Sequence, residues 1–324
     1  MKHTSMSLWG FAAICSMCLT FPAQGAAPYP AKPIRMVVPY SPGGNTDVFA
    51  RLIAQRLTAA WGQSVIVDNR AGGNTLIGTE MVAHAIPDGY TIMLTTLTFA
   101  VSPSLYKKLP YDALKDFTPI TLAVSLPNVL VVHPSVPARS LAELVQHAKA
   151  NPGKLNYAST GNGSSPHLSM ELLKTMAGIN LVNIPYKGGG PAMTDLMGGQ
   201  IAAQFIGLSV ALPHIKSGKL RGLAVTSAKR SSVAPEIPAV AETLPGYELD
   251  AWFGVFGPGG MPAVLVQRLQ DQIATILRSP DIKEHLASLG AEAVASTSRE
   301  FATHLKSEIQ KYAKIVKVAG INAE

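Results

Sequence analysis

The chain has 324 residues, of which 47% are hydrophobic and 15% charged, and a net charge of +7. That composition is ordinary for a globular α/β protein, and the length is enough for two lobes with a core each. The mild positive charge slightly favours anionic ligands, but there is no basic run of the kind nucleic-acid binders carry, so no nucleic-acid partner is expected.

Residues 1–25 read as a secretory signal peptide. Lys2 and His3 form a basic start, residues 8–21 are apolar, and Ala23-Gln24-Gly25 puts small residues at the −3 and −1 positions of a cleavage site. The apolar stretch is too short to span ~30 Å of hydrocarbon, and no later stretch reaches the ~18 apolar residues a spanning helix needs. Cys15 and Cys18 both fall inside this segment, so the mature chain is expected to hold no disulfide, thiolate metal site or thiol nucleophile. Its removal leaves 26 basic against 20 acidic residues, an excess of +6.

Residues 34–39 read as the first strand. In the stretch 36–47 (MVVPYSPGGNTD) an apolar run ends at Pro39 and Pro42, Gly43-Gly44 turns the chain, and Thr46 or Asp47 caps a helix. A strand that ends in a glycine turn at a helix N-terminus presents free backbone N–H groups and the positive end of a helix dipole, which is an anion site. Val48, Phe49, Leu52, Ile53 and Leu57 recur at helical spacing, and Gly62 ends the helix. A strand at 64–67 leads through Asp68-Asn69-Arg70 to a second glycine turn at Ala71-Gly72-Gly73-Asn74 and a helix at 76–85. Residues 90–96 form the next strand. This alternation implies a parallel, doubly wound sheet.

Two close strands at 117–124 and 128–133 follow a loop at 110–116. Ser140-x-x-Glu143 is a capping box for a helix that ends near Ala150. A strand at 155–159 meets a small-residue turn, Thr160-Gly161-Asn162-Gly163-Ser164-Ser165, and a helix with Ser165 as cap and Pro166 first. A strand at 181–186 meets a fourth turn, Lys187-Gly188-Gly189-Gly190, and a helix opened by Pro191. Strands at 201–206 and 220–226 flank a helix at 210–217, and 228–242 is a surface loop with a short helix. An aromatic-rich strand at 251–256 precedes helices at 263–277, 281–289 and 298–319, the last with a Thr297-x-x-Glu300 capping box. Two βα blocks with a helical tail give two lobes, divided as 26–124 with 250–324 and as 125–249. All four turns sit at carboxyl ends of strands, where open α/β sheets bind ligands, so a cleft between the lobes collects them.

Catalysis finds little support. The Gly-x-Ser-x-Gly elbow is absent, and the serines near His167 look like helix caps. No His-Glu-x-x-His or helix-spaced histidine pair suggests a metal, and neither glycine-rich phosphate motif occurs, so no cofactor is expected. A carboxylate remains, held by backbone N–H groups and by Ser, Thr and Asn side chains at ~1.5–3 kcal/mol per charge-assisted bond. Arg70 reads as a salt bridge pinning its loop. Asp47 and Asp195 read as helix-start residues bonded to backbone N–H groups.

The chain resembles the Bug family, the extracytoplasmic receptors of tripartite tricarboxylate transporters. Tyr29-Pro30-x-Lys32-Pro33-Ile34-Arg35, Pro39-Tyr40-x-Pro42-Gly43-Gly44-x-x-Asp47, Asp68-Asn69-Arg70, Pro87-Asp88-Gly89-Tyr90-Thr91, Asn151-Pro152-Gly153-Lys154-Leu155-Asn156-Tyr157-Ala158-Ser159, Pro185-Tyr186-Lys187-Gly188, Gly190-Pro191-Ala192-x-x-Asp195-Leu196 and Gly218-Lys219-Leu220-Arg221-x-Leu223-Ala224-Val225-Thr226 carry the resemblance. It implies a periplasmic binding protein of the two-lobe, type II flytrap form, hinged on two crossing strands at 118–124 and 251–256. It implies a monomer that captures a small carboxylate and delivers it to membrane permease subunits. The ligand contacts it implies are Tyr40, Pro42, Gly43, Gly44 and Thr46; Asn69, Gly72 and Gly73; Thr95, Thr96 and Thr98; Thr160, Gly161, Asn162, Gly163, Ser164 and His167; Tyr186, Gly188, Gly189, Pro191 and Ala192; and Gly207.

The chain departs from the family pattern in places. Gly72-Gly73-Asn74-Thr75 stands where many members have Pro-Gly-Ala-Gly-Gly, and Ser102 precedes Pro103 where Asn is frequent. Ile206-Gly207 stands where many have Asp-Asn facing the cleft. The last change argues for a plain or apolar-tailed carboxylate over an amino acid. A receptor that reports to a signalling partner, and a secreted esterase, are the competing readings.

Overall fold

A computed structural model describes residues 29–160, 163–186 and 189–321. The expected signal peptide lies outside the described residues, as do Gly161, Asn162 and Gly188. In chain order the elements are β1 (Ile34–Val38), α1 (Asn45–Trp61), β2 (Val65–Asn69), α2 (Leu76–Ala83), β3 (Thr91–Thr96), α3 (Thr98–Leu105), β4 (Phe117–Leu126), β5 (Asn128–Val132), α4 (Leu141–Ala150), β6 (Asn156–Ser159), α5 (Ser165–Ala177), β7 (Val182–Pro185), α6 (Gly189–Met197), β8 (Ala203–Gly207), α7 (Leu208–Lys216), β9 (Arg221–Val225), α8 (Val240–Thr243), β10 (Ala251–Pro258), α9 (Ala263–Arg278), α10 (Pro280–Ser288), β11 (Glu292–Ala293) and α11 (Ser298–Ala319).

The strands form two sheets, ordered β11-β4-β10-β3-β1-β2 and β7-β6-β8-β5-β9. β1 pairs in parallel with β2 and β3 on its two sides, which is why it reads as a near-continuous apolar run. β6 pairs in parallel with β7 and β8. The remaining pairings are antiparallel, namely β10 with β3 and β4, β11 with β4, and β5 with β8 and β9. The sheets are therefore mixed, where βα alternation alone implied parallel ones. β5 and β10, each the first strand after a passage between the sheets, run against their neighbours, as does the two-residue β11.

Each sheet is covered on both faces. In the first lobe α1, α9 and α10 pack on one face, with Phe49, Ile53, Leu57, Leu269, Ile273 and Leu286 in the core, and α2, α3 and α11 on the other, with Val82, Phe99, Phe301 and Leu305. In the second lobe Leu144, Met170 and Leu173 from α4 and α5 fill one face, and Leu196 and Ala211 from α6 and α7 the other. α5 belongs to both lobes, since its Leu168 is buried in the α3–α11 core of the first. The chain crosses between sheets at Pro127, and again between Val225 and Ala251.

Local rules account for most termini. Gly62 ends α1 at φ 67°, its N–H bonded to Thr58 O at 2.9 Å. Ser140 caps α4 through Glu143 N at 3.2 Å, and Thr297 with Glu300 forms the expected box on α11. α3 is absent from the sequence-based expectation. Pro103 lies inside it, in a stretch whose Thr and Val residues read as strand or loop. The two-residue β11 was also not foreseen. α5 starts at Ser165, one residue earlier than expected, with Pro166 second.

Candidate functional site

Because β3, β1 and β2 are parallel neighbours, the turns that leave them lie side by side, and each opens a helix: α3, α1 and α2. The same holds for β7, β6 and β8, which run into α6, α5 and α7. Among the described residues α1, α2, α3 and α7 carry no side-chain cap; of the helices that start elsewhere, α4 and α11 are capped by Ser140 and Thr297, and α9 and α10 are not. Uncapped first-turn N–H groups at the positive ends of helix dipoles suit an anion.

In the first lobe the β1–α1 turn is held by a clamp. Gly43, at φ 90°, donates its N–H to Asp47 Oδ2 at 3.0 Å. Arg51 Nε donates to the same oxygen at 3.0 Å and Arg51 Nη2 to Asn69 Oδ1 at 3.1 Å. Asn69 Nδ2 donates to Asp47 Oδ1 at 3.0 Å and to Tyr40 O at 3.1 Å. Both amide protons of Asn69 are thus spent on the neighbouring turn, and one guanidinium spans two turns. The N-cap is Gly44, not Thr46 or Asp47, because α1 begins at Asn45; Asp47 sits in its first turn and reaches back to Gly43. Arg51, with Gly43 and Asn69, holds the Asp47 carboxyl below the usual carboxylate range. Asp47→Ala is expected to cost about 1–3 kcal/mol at pH 7 in urea unfolding. A depressed carboxylate stabilises above its unfolded pKa of ~3.9 and loses that contribution as pH falls, so the difference should shrink in acid.

Arg70 pairs with Asp68 at 2.9 Å and Arg35 pairs with the same carboxylate, so Arg70 pins its loop as expected. Gly72, Gly73, Asn74 and Thr75 all have positive φ, an uncommon strain for the β-branched Thr75. Thr75 is 4% exposed, and its hydroxyl has no partner among the described residues. Tyr40 Oη lies 3.5 Å from Thr95 Oγ1, and burial pushes its phenol up. Pro42, Gly43, Gly44, Gly72 and Gly73 are exposed, Thr96 and Thr98 half-buried, and Thr46 and Thr95 buried.

In the second lobe Gly163, at φ 72°, donates its N–H to His167 Nδ1 at 3.2 Å. His167 Nε2 lies 3.5 Å from the Asn183 amide, and burial pushes the ring below its usual pKa, so it is neutral at pH 7. Those partners leave neither ring nitrogen directed at a serine. Ser164 is the N-cap residue of α5, and Thr160 is half-buried in the preceding turn. Tyr186 Oη donates to Asp195 Oδ2 at 2.7 Å, which pushes the phenol up to about 12. Asp195 therefore lies well inside α6 with a phenol as partner, rather than at a helix start bonded to backbone. Gly189 and Pro191 are exposed, and Ala192 is buried in the core beneath α6. Gly207 has an ordinary φ of −51°, and no heavy atom of the described residues lies within 4 Å of where its Cβ would be. Ile206 points into the α6–α7 core.

Asp47, Asp68 and Asp195 are all engaged within the protein. Among the described residues no three His, Cys, Asp or Glu side chains are grouped to hold a metal. Arg51, Thr75 and the Asn128–Ser165 link were not singled out from sequence. Asn128 Nδ2 donates to Ser165 Oγ at 2.7 Å across 37 positions, and no local pattern signals such a pair.

Residues 49–321 match the model of the tripartite tricarboxylate transporter family receptor. The chain belongs to this receptor family. It is similar to the protein BugT of Bordetella pertussis, 39% identical over 90% of each chain. It is also 38% identical to the UPF0065 protein in the tcbD-tcbE intergenic region of Pseudomonas sp. strain P51, over 93% of this chain and 90% of that one. Among solved structures it resembles R. palustris Rpa4515 with adipate, with a TM-score of 0.77 and 38% identity over 91% of this chain and 99% of that one. MatC from Rhodopseudomonas palustris with bound malate follows at a TM-score of 0.73 and 30% identity, over 89% of this chain and 100% of that one. Receptors of this family are two-lobe periplasmic binding proteins. No described helix of this member is long and apolar enough to cross a membrane.

Proposed function

We propose that this receptor works in the periplasm. It captures a small carboxylate between lobes formed by residues 26–124 with 250–324 and by 125–249, and hands it to the membrane subunits of a tripartite tricarboxylate-type transporter. The observation that carries this reading is the set of parallel strand-to-helix turns, in both sheets, that open helices without side-chain caps. The adipate and malate in the related structures support a carboxylate. Backbone N–H groups would hold the ligand's charge, with Thr and Ser hydroxyls around them.

The ligand carries no ammonium group. Asp47, Asp68 and Asp195 have partners already, and Ile206 and Gly207 offer the wall no polar side chain. A thermal-shift screen of adipate, malate, citrate, glutamate and aspartate tests this. A ligand at a hundredfold excess over Kd should add ~2.7 kcal/mol. A larger shift with glutamate or aspartate than with every plain carboxylate would overturn the ligand class. Turnover of a chromogenic ester that Ser164→Ala or Ser165→Ala abolishes would replace the receptor reading with an esterase. Capture of a signalling protein, and of no permease, from membrane fractions would replace transport with sensing.

The space at Gly207 gives a residue-level expectation. Gly207→Asn fits the backbone without strain and fills the wall. It should weaken a long dicarboxylate such as adipate about tenfold, or ~1.4 kcal/mol, while sparing succinate. Isothermal titration across the chain-length series checks it.

A further inference from the structure

Both passages between the sheets close on one side chain. Asp250 immediately precedes β10. Its Oδ1 accepts from Thr226 Oγ1 at 2.8 Å, and Thr226 is the first residue after β9. Its Oδ2 accepts from Ser125 Oγ at 3.1 Å, next to the end of β4. Thr226 in turn donates its N–H to Asn128 O at 2.8 Å and accepts Asn128 N–H on Oγ1 at 2.9 Å. Asn128 then reaches Ser165, the first residue of α5. A single carboxyl thus ties the outgoing passage to the returning one, three hydrogen-bonded links away from a helix start in the candidate site.

Among the described residues the groups that act on this carboxyl are acidic or neutral, and Lys311 of α11 is engaged by Glu308 and by the backbone oxygen of Glu248. These groups include Glu248 on the same passage, Glu292 on β11, and the phenols of Tyr247 and of Tyr312 on α11. Burial, opposed by the Thr226 and Ser125 hydrogen bonds and aided by the two glutamates, pushes it up to about 6. An ionised carboxylate accepts on both oxygens, with bonds roughly twice as strong as neutral ones; protonation converts one oxygen into a donor.

We propose that Asp250 is a proton-operated pin in the hinge. Ionised, it holds Ser125 and Thr226 together and restrains the lobes; protonated, it releases one of the two and the lobes swing more widely. The pin concerns the hinge alone, and its test needs no ligand, so it stands or falls apart from the reading of the site.

The chain from residue 26 onward has no cysteine, so two labels can be placed cleanly. Ile66→Cys on β2 and Val182→Cys on β7 use exposed positions on the outer strands of the two sheets. Spin-label distance distributions on the ligand-free protein should be broad at pH 5 and narrow at pH 8, with a midpoint near the Asp250 value of about 6. Asp250→Asn should keep the broad distribution at every pH. Ser125→Ala removes one of the two groups the pin holds together, so it too should leave the distribution broad at every pH. A pH-independent distribution in the unmodified chain overturns the proposal. So does a pH response that survives in Asp250→Asn with its midpoint unchanged.

Discussion

Gly254→Ala is expected to destabilise the protein by about 3 kcal/mol, at the upper end of ordinary overpacking costs. Gly254 lies on β10, paired with β3 on one side and β4 on the other, so the backbone cannot retreat within the sheet. A Cβ there would stand 2.8 Å from Phe301 Cε1 and closer still to Cζ. Phe301 is fully buried, with Phe256 at 4.7 Å and Trp252 at 5.8 Å between ring centroids, so it cannot move aside. Gly257, three residues on, serves as the internal comparison. Its added Cβ would meet the Met261 side chain, which is flexible and can swing away, so Gly257→Ala should cost about 1 kcal/mol or less. Urea unfolding of both variants separates a steric cost from a general intolerance of β10. Phe301→Leu in the Gly254→Ala background should recover part of the loss, and purely additive effects would refute the direct clash.

Gln204→Met is expected to do the opposite and stabilise the fold by about 1–3 kcal/mol, the cost of leaving buried polar atoms unpaired. Gln204 is fully buried on β8, beside Val131 of β5 and Ala158 of β6 in register. Its side chain lies on the face that carries Ile206, toward the apolar core under α6 and α7. Among the described residues neither its Oε1 nor its Nε2 has a partner. Methionine matches the volume and has no amide to desolvate. A rise in Tm without change in the urea m-value is the expected result, and a fall in stability would mean the amide is satisfied after all.

Legibility followed the range of the interaction. Ser140 as the cap of α4, the Thr297-x-x-Glu300 box and Gly62 are local devices, and each was readable and correctly placed; only the return arm of the first box differs, the Glu143 carboxylate accepting from Arg139 N–H instead of Ser140 N–H. The apolar run of β1 and the helical spacing of Phe49, Ile53 and Leu57 were equally plain, because burial imposes their period. α3 was hidden because Pro103 and its neighbours carry the wrong propensity, and packing against α11 overrides it. In the candidate site, the turns were visible as glycine-rich sequence after apolar runs. What fixes them was not. The Arg51–Asn69 bond spans 18 positions, Asn128–Ser165 spans 37, and Asp195 finds a phenol where its position in sequence suggested backbone. Which strands would pair antiparallel was equally hidden, since that depends on where the chain re-enters the first sheet.

That re-entry fixes the order of assembly. In the first sheet β10 lies between β3 and β4, although more than a hundred residues separate it from either in the chain. A nascent chain ending between residues 126 and 251 contains β3 and β4 but not the strand that joins them. The half-built sheet presents two unmatched edges and cannot close on itself. Folding of the first lobe therefore waits for a late segment.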